Sequence, residues 1–297
     1  MSTQPVVTDH VVVGVDGSDL ALAAVDWAAD AATLRGRPLR IVHASIWPQM
    51  RFPDTPVLAS RILQGLRVQG EEYVATATTR AQARQPGLAV ESEVIEGAPA
   101  PVLIRESRTA DMIVLGHRGL GGFTGLLVGS VGVQLAAHAG CPVIVVRPHT
   151  LPPGPAAGTV VVGVDGSEES DAAIEFAFTE ASLNEVGLTA VHAWRWPQST
   201  EPGDMLPLVY DADVLAAEEL RMFAESLAGW QERFPDVKVH HDQVRTRAGK
   251  ALIEASPGAH LLVVGSRGRG GFTGLLLGSV SQAALHHADC PVAVVRS

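Results

Sequence analysis

"VVGVDGSD", residues Val12–Asp19, returns almost unchanged as "VVGVDGSE", residues Val161–Glu168, 149 positions further along the chain. Each copy is a β-branched run that breaks at Asp-Gly-Ser and gives way to apolar residues at helical spacing. That is the pattern of a strand feeding a helix through a tight turn. The same displacement relates "VHA" at Val42 and Val191, "WPQ" at Trp47 and Trp196, and "CPVIVVR" at Cys141 with "CPVAVVR" at Cys290. One offset at every landmark means two homologous domains, since solenoid repeats run only to about 20–50 residues. The join lies in "RPHTLPPGPAAGT", Arg147–Thr159, where four prolines and two glycines stop any helix or central strand. The domains are therefore 1–152 and 153–297.

Within the first copy, strands are predicted at His10–Val15, Pro38–Ala44, Ala89–Ile95, Asp111–Gly116 and Pro142–Arg147. Helices are predicted at Ser18–Leu34, Val57–Arg84, Ala98–Arg108 and Ser130–His138. Strands alternating with helices give βαβ units and a mostly parallel sheet covered on both faces. The fold class is α/β: two tandem doubly wound domains, each with five strands. In such a sheet a ligand binds beyond the carboxyl ends of the strands, where the winding reverses.

Composition removes several function classes. The net charge of −10 argues against a broad basic surface for nucleic acid or an anionic membrane, so any anionic ligand must be held locally. The start, "MSTQPVVTDH", lacks the basic and apolar regions of a signal peptide, and no run of about eighteen uncharged apolar residues follows. A cytoplasmic location is expected. The two cysteines, Cys141 and Cys290, form no disulfide framework and no metal-ligand spacing; they read as buried structural thiols, with a redox role as the alternative.

The fourth strand ends at "GHRGLGGFTGLLVGSV", Gly116–Val131, which recurs from Gly265 as "GSRGRGGFTGLLLGSV" with thirteen of sixteen positions unchanged. Gly116 and Gly119 permit positive φ or close approach of a ligand to the backbone, and Gly121, Gly122 and Gly125 keep the loop permissive. Ser130 reads as an N-cap opening a helix whose free N–H groups favour phosphate. No GxxxxGK[ST] occurs, and "GVDGS" is not GxGxxG, so neither a P-loop nor a dinucleotide fingerprint is present.

Asp16 and Asp165 close the first strand of each copy. They suit hydrogen bonding to a nucleotide or reach to a phosphate-bound Mg²⁺, or else capping of the "DGS" turn. Arg118 and Arg267 suit phosphate pairing or a solvated surface. His117 is replaced by Ser266, which argues against histidine chemistry there. His43 and His192 have no ligand-spaced neighbours and read as satisfied strand-end histidines. No serine–histidine–acid or Cys–His arrangement repeats, so no catalytic residue is identified.

Gly116-x-x-Gly119, nine residues, then Gly129-Ser130 resembles the nucleotide-binding motif of the universal stress protein family, and Gly265, Gly268, Gly278 and Ser279 repeat it. "VVGVDGS", "VHA" and "CPVIVVR" are similar to that family as well. The resemblance spans the whole chain and is closest to tandem-domain actinobacterial members. It implies strand order 3-2-1-4-5 and ATP with Mg²⁺ in each domain. Gly14, Val15 and Asp16 would then line the adenosine end, and Ala44 would offer its backbone to adenine. Gly116, Gly119, Gly129, Ser130 and Val131 would wrap ribose and phosphates, with His117 and Arg118 inside the same loop. The second set is Gly163, Val164, Asp165, Ala193, Gly265, Ser266, Arg267, Gly268, Gly278, Ser279 and Val280. Asp16 and Asp165 would be the residues nearest Mg²⁺.

The resemblance further implies a stress-response regulator or sensor with at most slow ATP hydrolysis or self-phosphorylation. Its two copies would cover each other's last strands within one chain, and two chains would then pair again as a homodimer. The alternatives are a nucleotide-independent scaffold of the same fold and an adenylyl-transfer enzyme. The HxGH and SGGxDS signatures of the latter do not occur.

Overall fold

Runs such as Val11-Val12-Val13 and Val143-Ile144-Val145-Val146 have no polar face, so a sheet built from them must be covered on both sides. The computed structural model describes residues 10–46, 56–120, 128–195, 212–269 and 276–296. The first repeat runs β1 (His10–Gly14), α1 (Asp19–Arg35), β2 (Leu39–Ser45), α2 (Pro56–Arg84), β3 (Val90–Glu96), α3 (Pro99–Glu106), β4 (Ala110–Gly116), α4 (Ser130–His138) and β5 (Val143–Val146). The second follows as β6 (Val160–Gly163), α5 (Glu168–Leu183), β7 (Leu188–Ala193), α6 (Ala212–Arg233), β8 (Val239–Val244), α7 (Ala248–Ala255), β9 (Leu261–Gly265), α8 (Ser279–His287) and β10 (Val292–Val295). The "WPQ" stretches lie outside the described residues.

The chain divides into two compact units, Met1–Pro148 with Pro291–Val294, and His149–Cys290 with Val295–Ser297. In the first unit the strands lie in the order β3-β2-β1-β4-β5, all parallel. This is the expected winding, and it leaves the carboxyl ends of β1 and β4 side by side. β10 then adds to the edge antiparallel to β5, with Val292 opposite Val145 and Val294 opposite Val143. The second unit repeats the winding as β8-β7-β6-β9, again parallel.

The helices fit because their inner faces are small. α1 buries Ala21, Ala24, Val25, Ala28, Ala31 and Ala32, side chains short enough to let its axis lie close over the strands. It ends at Gly36, whose left-handed φ of 61° lets its N–H reach back to the Ala32 and Thr33 carbonyls. On the outer side, Arg80 and Arg84 of α2 pair with Asp26 and Asp30 of α1. In the second unit Phe178 fills the equivalent layer and stacks on Phe234 and Trp230.

The segment that opens the second unit is pinned by one carboxylate. Asp289 accepts from the Thr150 N–H, the Thr150 hydroxyl and the Leu151 N–H, and its own N–H donates to Ser256 Oγ. Burial works against its ionisation, but the Thr150 hydroxyl, the two amides and neighbouring His149 outweigh that and hold the carboxyl below its ordinary value. A depressed carboxyl stabilises the fold above the unfolded-state value and loses that contribution as pH falls through the folded-state value. Replacing Asp289 by Asn is therefore expected to cost about 1–3 kcal/mol at neutral pH. In urea melts the gap to wild type should close as pH drops below about 4.

Candidate functional site

In both units an aspartate at the end of the first strand ties two loops together. Asp16 Oδ1 accepts from the Ser18 N–H at 3.1 Å and the Ser18 hydroxyl at 2.7 Å. Its Oδ2 accepts from the Leu120 N–H at 2.7 Å, in the loop that leaves β4. Asp165 repeats this with the Ser167 N–H at 3.0 Å, the Ser167 hydroxyl at 2.6 Å and the Arg269 N–H at 2.9 Å. The turn between Asp and Ser is possible because Gly17 and Gly166 take φ of 86° and 71°, where a side chain would be strained. Ser18, rather than Asp16, is the N-cap of α1, accepting from the Ala21 N–H at 3.2 Å.

This clamp explains the motif glycines differently from the sequence expectation. Gly116 and Gly119 do not adopt positive φ. A Cβ on Gly119 would overlap Asp16 Oδ2, and one on Gly268 would overlap Asp165 Oδ2. A Cβ on Gly116 would lie 2.7 Å from the Leu20 carbonyl oxygen, where α1 starts against the end of β4. Close approach is the requirement, but the approaching atoms belong to the protein. Gly121, Gly122 and Gly125 lie outside the described residues.

Ser130 also differs from expectation. The N-cap of α4 is Gly129, with φ −68° and ψ 150°, and Gly278 caps α8 in the same way. No side chain caps either helix. Ser130 and Ser279 are thus first helical residues, and the first-turn N–H groups have no intrahelical acceptor. In the second unit these donors open onto a crevice of about 480 Å³ at the carboxyl ends of β6, β7 and β9.

Ten expected second-unit residues line that crevice: Gly163, Val164 and Asp165, Ala193, Gly265, Arg267 and Gly268, then Gly278, Ser279 and Val280. Ser266 does not; it is buried. Arg269, Ser170, Ser281, Ala248 and Leu252 also line it and were not expected. Arg269 stood next to the motif glycine and could have been found. Ala248 and Leu252 sit on α7, which the repeat alone does not place at the strand ends.

In the first unit Gly14, Val15, Asp16, Ala44, Gly116, Arg118, Gly119, Gly129, Ser130 and Val131 occupy the matching positions on β1, β2, β4 and α4. His117 is buried and its Nδ1 has no hydrogen-bond partner. Burial, reinforced by Arg147 and Arg118, pushes its pKa down to about 4, so the ring is neutral near pH 7.

The remaining candidates are structural. His43 Nδ1 donates to the Val15 carbonyl at 2.8 Å, and His192 Nδ1 to Val164 at 2.8 Å, holding the ends of β1 and β6. His192 Nε2 lies 2.9 Å from Glu219 Oε2. Cys141 and Cys290 are buried, and burial pushes the Cys141 thiol up to about 12, far from a reactive thiolate. A smaller hollow at the amino ends of the first unit's strands contains Arg40, but that guanidinium is spent on Glu106 at 2.8 Å and Glu93 at 2.6 Å. Among the described residues no three His, Cys, Asp or Glu side chains are grouped to hold a metal. Among them, too, no helix is long and apolar enough to cross a membrane.

Residues 8–147 and 157–296 each match the model of the universal stress protein family. Universal stress protein Rv2005c of Mycobacterium tuberculosis is 42% identical over 296 residues, covering 96% of both chains. Universal stress protein Rv2623 of the same organism is 38% identical over 291 residues, with the same coverage. Among solved structures, a universal stress protein from Archaeoglobus fulgidus has the same fold, with a TM-score of 0.67 at 20% identity over 97% of this chain and 96% of its own.

Two measurements test the site's construction. Gly119→Ala should destabilise the first unit by about 1–3 kcal/mol by displacing the clamp. In an Asp16→Ala background most of that cost should vanish, a coupling readable in a double-mutant cycle; additive effects would show that the glycine serves something else. Separately, His117 is neutral in the fold and protonates earlier when unfolded, so its contribution is full above about pH 6.5 and declines toward pH 4. His117→Ser, the residue of the second unit, should flatten the stability–pH curve in that interval.

Proposed function

The chain belongs to the universal stress protein family, and from that premise we propose that each unit binds a nucleotide, ATP, whose occupancy serves a regulatory role in the stress response. The observation that carries this reading is the uncapped first turn of α8 opening onto a crevice that Arg267 also lines. Unmet backbone donors at a helix N-terminus attract anions without lysine. A volume of about 480 Å³ suits a small molecule, whose sites span about 300–1,000 Å³.

In this reading the phosphates sit at Gly278, Ser279 and Val280 and, in the first unit, at Gly129, Ser130 and Val131. The adenosine end lies toward Gly163, Val164 and Ala193, and toward Gly14, Val15 and Ala44. Both oxygens of Asp16 and of Asp165 already accept hydrogen bonds within the clamp, which leaves each carboxylate only its remaining lone pairs for a phosphate-bound Mg²⁺. Mg²⁺ would be carried by the phosphates themselves, as this ion commonly is, keeping several waters. The arrangement supplies binding and orientation.

The test is to purify the protein without added nucleotide, denature it and quantify released adenine nucleotides by chromatography. About two ATP per chain, or saturable Mg-ATP binding by a protein isolated empty, is the expected result. No release and no binding would overturn the reading in favour of a scaffold acting through protein contacts.

A further inference from the structure

We infer that the two sites differ in the ligand they favour: the second, whose crevice both Arg267 and Arg269 line, selects the more highly phosphorylated nucleotide, and the matching site of the first unit, where Leu120 stands, does not. This rests on the nucleotide-binding reading above and adds a specificity residue to it.

The backbone is the same at the two positions. The Leu120 N–H donates to Asp16 Oδ2 and the Arg269 N–H to Asp165 Oδ2, so the clamp fixes both residues in one register and the difference lies in the side chain. Arg269 lines the second crevice, and its Nη2 comes within 3.1 Å of the place a Cβ on Gly166 would occupy. The guanidinium thus reaches from the β9 loop back to the turn after β6. Leu120 is 64% exposed. It offers an anion no charge, and burying it contributes little to the fold.

The other replacements around the crevice do not make up the difference. Ser170 and Ser281 stand where the first unit has Ala21 and Gly132, yet their hydroxyls already serve the backbone. Ser170 Oγ donates to the Ser167 carbonyl at 2.8 Å, and Ser281 Oγ to that of Gly265 at 2.6 Å. His117, the first unit's extra nitrogen base, stays neutral near pH 7 and brings no cation. Among the described residues that line the second crevice and their first-unit counterparts, two arginines against one remain as the contrast. The helix that follows opens Glu168-Glu169 in the second unit against Asp19-Leu20 in the first. Affinity ratios for ligands differing only in phosphate count, rather than absolute affinities, are what the second arginine alters.

An arginine within reach of a polyphosphate forms charge-assisted hydrogen bonds that a monophosphate too short to span the crevice does not form. The preference for ATP over AMP should be about tenfold larger in the second crevice and should shrink with added salt. Calorimetric titrations on the full chain resolve this. Ala193→Trp fills the second crevice so that only the first is read, Ala44→Trp does the converse, and circular dichroism confirms the fold of each. In the Ala44→Trp background, Arg269→Leu should reduce the ATP/AMP ratio to that of the first crevice. In the Ala193→Trp background, Leu120→Arg should raise it. Both probed positions are exposed, so neither change threatens folding. Equal ratios in the two crevices, or a ratio indifferent to Arg269→Leu, would overturn this inference and leave nucleotide binding standing. Wild-type protein that binds neither ATP nor AMP would overturn both.

Discussion

A carboxylate set between two loops answers a difficulty inherent in the doubly wound sheet. At the switch point the chain leaves β1 in one direction and β4 in the other, so nothing in the ladder of hydrogen bonds fixes the gap between the departing loops. Asp16 and Asp165 fix it, each with one oxygen on its own turn and the other on the opposite loop. Ionised acceptors of this kind form stronger bonds than neutral ones, and in a part-buried crevice they hold a definite width. With the width held, the helix that follows the glycine loop can start without a side-chain cap.

That arrangement gives the glycine motif two duties. Gly119 and Gly268 must be bare to admit a carboxylate, Gly116 must be bare to admit the start of α1, and Gly129 and Gly278 begin helices without a capping side chain. Glycine at the cap forgoes only about a few tenths of a kcal/mol relative to Ser, Thr, Asp or Asn. Both copies make the same choice, so in each the first-turn N–H groups meet no side chain at the cap. The same reasoning separates loss of ligand binding from loss of the clamp: Gly119 and Asp16 form one structural pair although the loops that carry them are far apart in sequence.

Much of this was legible in the sequence. Strands without a polar face and helices with alanine-rich inner faces have distinct periods, so α1 expected at Ser18–Leu34 appears at Asp19–Arg35 and α2 expected from Val57 appears from Pro56. The repeat carried the same reading into the second half. What escaped was whatever depends on a partner remote in the chain. Ser130 has the chemistry of an N-cap, but the backbone geometry gives that place to Gly129. Gly116 suggests positive φ or close approach of a ligand, whereas its φ is not positive and the start of α1 packs on it. Asp289 stands where the first repeat has Gly140, a substitution without apparent pattern until Thr150 and Leu151 are found on its oxygens.

The pairing of β10 with β5 carries a consequence for biosynthesis. β5 is apolar throughout and completely covered, yet the strand that pairs antiparallel with it is made only after the whole second half has been translated. At about 5–20 residues per second, roughly seven to thirty seconds of translation separate the two strands. Throughout that interval the nascent first unit presents an unsealed Val-Ile-Val-Val edge, the kind of edge to which another strand can add. Premature termination anywhere in the second half would make that exposure permanent, so a truncated product of this gene is sticky even where every residue of its first unit is intact.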